Sequence, residues 1–215
     1  MCWRERADWK GVYNRMTKNR ALNQGLQLLL TAEGIQLLLG LANLVGLTQL
    51  LFFGFLSLGC MAMTLAGLYT LRGVDRAYQP AFSFSVANVV VVFAGSVVAT
   101  ILGMMITLKI LPVLVILLSC IAQTLTCLAA RFCCRATCGL LMERGADGLA
   151  AQGEQVGLLY MIVTAVVVFS YALSLLPVPA GVIRFVTILA NVLLLTAVGM
   201  YVKFLFLSIK TLAVE

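Results

Sequence analysis

The stretch 25–44, "GLQLLLTAEGIQLLLGLANL", decides how this chain is read. It is almost wholly apolar and about 20 residues long, which at a rise of 1.5 Å per residue is what an α-helix needs to cross a ~30 Å hydrocarbon core. Yet residues 31–43, "TAEGIQLLLGLAN", carry a glutamate, a glutamine and an asparagine. The run therefore reads as a transmembrane helix with a polar stripe that must face something other than lipid.

The rest of the chain agrees with a membrane setting. Its 215 residues are 62% hydrophobic and 11% charged, with mean hydropathy +1.07, far from the roughly 45–50% apolar and 25% charged of soluble domains. Lipid offers no partner for free backbone N–H and C=O groups, so the spanning elements must be helices. Apolar runs and their breakers give six spans, about 25–46, 50–71, 81–107, 111–130, 156–176 and 181–207. The expected fold class is all-α, a polytopic membrane protein of six transmembrane helices in residues 21–215.

Connections alternate in length. "VGLTQ", "LKILP" and "LPVPAG" are very short, whereas "RGVDRAYQP" and "RFCCRATCGLLMERGADGLAAQGEQ" are longer and charged, the second making the longest loop at about 131–155. Short links imply antiparallel neighbours, so the unit is read as a helical hairpin used three times. Within the long loop the sequence suggests a helix end, a glycine turn at 145–148 and a new helix with Asp147 as a possible N-cap. Glu143 and Arg144 read as solvated. A weak repeat places 60–72 on 120–132, matching Cys60 to Cys120, Ala62 to Ala122, Thr64 to Thr124, Leu65 to Leu125 and Leu68 to Leu128.

Lysine and arginine fix the expected orientation. With a cytoplasmic N-terminus, all but Lys109 and Arg184 of the 15 basic residues fall on the cytoplasmic side, a strong form of the positive-inside pattern. Both termini are then cytoplasmic, in a bacterial-type inner membrane or a plasma membrane. The net charge of +7 is distributed over membrane-proximal segments, so it points to anionic lipid headgroups as partners and not to nucleic acid.

Residues 1–20 are basic and aromatic, unlike a cleaved signal peptide. Cys2, Trp9, Val12, Tyr13 and Met16 fall on one helical face with Arg4, Lys10, Arg15 and Lys18 largely opposite. Two readings fit, an interfacial amphipathic helix and a partly ordered leader that only sets topology.

Glu33 is the only acidic residue in any expected span. Eight residues beyond Gly25, it lies roughly 12 Å deep. An ionised carboxylate there costs at least ~2.5–3.5 kcal/mol, so it must face protein or water and either pair or hold its proton. Gln36, Gly40 and Asn43 follow it at i+3, i+7 and i+10, one stripe on the first helix. The same depth count brings Asn88, Gln123 and Asn191 to roughly 12–17 Å from their own boundaries, and Thr164 joins them on the fifth span, with Ser170, Tyr171 and Ser174 nearer its outer end. Two accounts compete. These groups line a midplane cavity for a polar solute or ion, or they hydrogen-bond between helices, at about 0.6 kcal/mol per contact, and do nothing else.

Cys120, Cys127, Cys134 and Cys138 are spaced by 7, 7 and 4, a stripe on one helical face, with Cys133 beside it. Packing, acylation of the juxtamembrane thiols, and soft-metal or redox handling are the alternatives. No C-x-x-C pair and no histidine is present, which disfavours structural zinc. Walker A, dinucleotide, zincin and nucleophile-elbow motifs are absent as well, so neither cofactor nor enzymatic activity is expected. The function expected is solute or ion binding and transport around Glu33. The alternative is a non-transporting scaffold or accessory subunit that meets a protein partner at its cytoplasmic face.

Overall fold

The computed structural model describes residues 2–45, 51–105 and 110–212. Six α-helices follow one another: α1 (Cys2–Leu44), α2 (Leu51–Val74), α3 (Gln79–Met105), α4 (Ile110–Glu143), α5 (Asp147–Leu173) and α6 (Ala180–Leu212). All six contain a stretch long and apolar enough to cross a membrane. The chain is an all-helical bundle with six candidate membrane spans.

Contacts along the seams are antiparallel. Gly25 of α1 meets Leu71 of α2, and Gly67 of α2 meets Leu29 of α1. Asn88 on α3 reaches Thr126 on α4, while Phe84 stacks on Phe132 one turn away. Gly153 of α5 abuts both Cys138 of α4 and Phe204 of α6. Gly40 of α1 lies against Leu195 of α6, so the series closes into a ring in which the α2–α3 seam is the thinnest.

The two ends of the ring differ. At the basal end, where Asn19, Arg144 and Leu212 meet, most of the fully buried side chains collect, including Leu22, Leu26, Leu71, Tyr78, Leu141, Phe204 and Leu205. At the apical end, towards Leu44 and Leu176, apolar side chains such as Leu38, Phe55, Phe93, Ile101 and Phe185 are exposed around the ring. Such a belt is what hydrocarbon, unlike water, accommodates.

Three helices outrun the membrane. At 1.5 Å per residue, α1 with 43 residues, α4 with 34 and α6 with 33 are roughly 65, 51 and 50 Å long, against a ~30 Å hydrocarbon core. The surplus lies at the basal end, and it changes the long-loop expectation. Residues 131–143 continue α4, α5 begins at Asp147, and only 144–146 connect them. Gly145 makes the turn with φ +72°, the left-handed conformation that glycine enters without a Cβ penalty. Ala146 N–H donates to Leu141 C=O at 2.9 Å and Gly145 N–H to Met142 C=O at 3.0 Å, the paired bonds of a Schellman ending. Ala146, not Asp147, is the N-cap, and no side chain caps it. The glycine turn supplies the geometry that an acidic cap was expected to supply.

Arg144 also departs from the solvated reading. Half-buried, it donates to Leu212 C=O at 2.9 Å and to Asn19 Oδ1 at 3.0 Å, tying α1 and α6 to the α4–α5 turn. Between α2 and α3, Asp75 Oδ1 accepts from Ala77 N–H at 2.9 Å and caps a short 3₁₀ turn, Arg76–Tyr78. That turn drives Tyr78 into the base of the bundle, where its hydroxyl pairs with Thr137 Oγ1 at 3.0 Å. Pro80 follows in the first turn of α3, the helical position where a missing N–H costs nothing.

The backbone of residues 2–20 runs into the first span without a break. The side chains of the expected amphipathic face, and most of the "VGLTQ" and "LKILP" links, lie outside the described residues. The sequence repeat does not carry into equivalent surroundings. Cys60 is fully buried and Cys120 half-buried, while Leu68 is buried and Leu128 is not.

Candidate functional site

A cavity of about 470 Å³ lies inside the ring. Its wall follows helical spacing on every contributing element. On α1 it takes Leu29, Glu33, Gln36 and Gly40; on α2, Ser57, Met61, Thr64 and Leu68; on α3, Ser85, Asn88 and Val92; on α4, Ser119, Gln123, Thr126, Ala130 and Cys133. Tyr160 and Tyr171 come from α5, and Leu194, Val198 and Tyr201 from α6. The sets on α1, α2, α3, α4 and α6 step by three or four residues and the two tyrosines of α5 by eleven, about three full turns, so each helix turns one stripe inward.

Four expected site residues, Glu33, Gln36, Asn88 and Gln123, share this one wall. Glu33 is 7% exposed. It is the only charged side chain in the lining, and among the described residues it has no cation and no hydrogen-bond donor. It stands within electrostatic reach of Cys60, Cys133, Tyr160 and Tyr201. Asn88 is held in place, with Nδ2 donating to Thr126 Oγ1 at 3.0 Å and Thr126 Oγ1 in turn donating to Ala122 C=O at 3.0 Å. The other end of that amide, Oδ1, is buried without a partner among the described residues, as is Thr64 Oγ1 on the facing helix.

Two expected members fall elsewhere. Asn43 is exposed at the apical end of α1, because ten residues turn an α-helix about 80° away from the face of Glu33. Asn191 keeps roughly the azimuth of Val198 but stands a turn nearer the apical end than Leu194 and Leu195, outside the lining. On α5, Thr164 and Ser170 are buried outside the cavity wall, Ser170 donating to Val167 C=O at 2.7 Å.

The tyrosines were not anticipated as a group. Tyr160 and Tyr201 meet edge to face with centroids 6.1 Å apart, and Tyr171 lies about three turns above Tyr160 on α5. Tyr201 reads in sequence as one aromatic of a basic helix end, and nothing local pairs it with residue 160. Ser85 and Ser119 were legible in principle, since each lies three or four residues from another lining polar group.

The cysteine stripe packs. Cys127, Cys134 and Cys138 are buried and Cys120 is half-buried. Cys138 Sγ donates to Ala150 C=O at 3.2 Å, and Gly153 and Gly157 of α5 leave room for Cys138 and Cys134. Cys133, one residue off the stripe, turns to the cavity instead. The juxtamembrane thiols Cys133, Cys134 and Cys138 are buried, and no group of three or more ligating side chains among the described residues suits a metal ion.

No known protein family, curated protein or solved structure matches this chain.

Proposed function

We propose that this protein binds a polar solute or ion in the central cavity, with Glu33 as the charged group of the site, and that binding serves transport across the membrane. One observation carries the reading: an uncompensated carboxylate shares a 470 Å³ space with three amide side chains. A polar network kept only for stability satisfies its members, because a half-satisfied buried network is worse than an apolar core. Here, among the described residues, Asn88 Oδ1, Thr64 Oγ1 and Glu33 have no partner. Polar groups at membrane depth that are left open in this way mark solute and ion pathways.

The topology that accompanies this reading has six helices paired as three antiparallel hairpins. The basic N-terminal end of α1 stands on the cytoplasmic side, and both termini face a cytoplasm whose leaflet is anionic. The basal end is then cytoplasmic, and Ser57 of α2 and Val92 of α3, both in the cavity wall, are exposed.

The test is carboxyl infrared absorption of the full chain in nanodiscs, wild type against Glu33→Gln. A band lost in the variant that responds to pH and to exchange into D₂O means that water reaches Glu33, as a binding site requires. A band indifferent to both means a sealed structural hydrogen bond, and the scaffold or accessory-subunit reading replaces this one.

A further inference from the structure

The wall of the cavity is selective about charge. Among the described residues Glu33 is its one ionisable carboxyl and neither lysine nor arginine lines it, so an anion entering would meet an uncompensated negative group in a medium of low dielectric. A neutral solute gives the carboxylate nothing that glutamine would not supply. A divalent metal ion asks for six or more oxygen ligands, usually with more than one carboxylate, and a single carboxylate cannot balance it. A monocation is the charge state that leaves the site neutral.

The same wall is also selective about size and surface. At about 470 Å³ the space falls within the 300–1,000 Å³ typical of sites for drug-sized molecules, and a bare alkali ion would leave most of it empty. Tyr160, Tyr171 and Tyr201 line it together with Leu65, Val89 and Leu194. Tyrosine rings attract cations through their faces, and the aliphatic groups require an apolar body. Gln36, Gln123 and the free Oδ1 of Asn88 add acceptors for an N–H donor. The thinnest seam of the ring, between α2 and α3, borders this wall, so a molecule already dissolved in the bilayer has the shortest path in.

Resting on the cavity being a binding site, we propose that its ligand is an amphiphilic organic monocation, an amine or onium group on an apolar body, held by Glu33 beside Tyr160 and Tyr201. The cation sits against the Glu33 carboxylate near Tyr160 and Tyr201. Its apolar part extends towards Leu194 and Val92. The amides hold the carboxylate's surroundings polar enough for the ligand to leave.

The experiment uses the full chain in phosphatidylcholine nanodiscs with tetraphenylphosphonium, and tetraphenylborate as a probe of similar size and opposite charge. Binding to empty nanodiscs is subtracted. The expected result is saturable, one-to-one binding of the phosphonium and none of the borate. Glu33→Gln should weaken phosphonium binding at least tenfold, and Glu33→Asp should restore most of it, with size-exclusion profiles matching wild type. Equal binding of the two ions overturns the proposal, as does phosphonium binding that Glu33→Gln leaves unchanged. Absence of saturable phosphonium binding overturns it too. In that last case the Glu33 infrared band separates the two levels. A responsive band keeps the solute-binding cavity and removes only the cationic ligand, and a silent band removes both.

Discussion

Gly67→Ala tests whether the α1–α2 crossing is as close as the geometry makes it. A Cβ at Gly67 would stand 2.9 Å from the Gly25 carbonyl oxygen, 3.1 Å from Leu29 Cγ and 3.3 Å from Leu28 Cβ. The nearest of these is backbone, so relief requires moving one helix. Overpacking of this kind costs typically 1–3 kcal/mol. Against it stands the helix preference for alanine over glycine, about 0.8–1.0 kcal/mol in a helix interior. Gly59→Ala supplies the control, because it lies in the same helix with nothing within 4 Å of the new Cβ. It receives the propensity gain alone. Gly67→Ala should therefore be about 1–3 kcal/mol less stable than Gly59→Ala, and close to neutral or up to ~2 kcal/mol less stable than wild type. The assay is equilibrium unfolding by SDS in mixed micelles, followed by pulsed labelling of the buried cysteines. Glu33 lies on the same face of α1, one turn beyond Leu29, so phosphonium binding should weaken along with stability. Equal midpoints for the two alanine variants would refute the close crossing.

Three further outcomes are expected. Arg144→Gln should lower stability by about 1–3 kcal/mol in the same SDS titration, since two hydrogen bonds from a charged donor are lost and the Leu212 carbonyl and Asn19 lose their link to the turn; no change would place Arg144 in solvent after all. Cys127, Cys134 and Cys138, all buried and outside the cavity wall, should stay unmodified by maleimide in the native protein and react once SDS unfolds it, as peptide mass mapping would report. A double-mutant cycle of Asn88→Ala and Thr126→Val should return a coupling of about 0.6 kcal/mol, the usual value for a hydrogen bond between membrane helices, and zero coupling would mean that the 3.0 Å contact is not made in the membrane.

Several residues show why the sequence went as far as it did. Glu33, Gln36, Asn88 and Gln123 could be placed at one depth because depth depends only on residue count along a helix of fixed rise. Asn43 shows where that reasoning fails. Its depth mattered less than the angle accumulated over ten residues, and the angle turned it out of the cavity. Arg144 and Glu143 looked alike as charges in a loop, yet only Arg144 has the reach and the neighbours to tie three helices together. Gly54, Gly59, Gly67 and Gly73 are equivalent in sequence as small residues of one helix, and among the described residues only Gly67 of the four has another helix against it.

The sequence by itself determined that this is an all-helical chain with six helices long and apolar enough to cross a membrane, and that one carboxylate lies well inside the first. These follow from hydropathy, helix rise and the cost of burying charge, all of them properties of one chain segment against a slab of hydrocarbon. Only the tertiary structure decided that the carboxylate faces a cavity, that Tyr160, Tyr171 and Tyr201 share its wall, that the cysteines pack against glycines, and that the long polar stretch near residue 140 is two helices and a three-residue turn. Those depend on which faces of different helices meet, and rotation about a helix axis is set by its neighbours, which no single segment encodes.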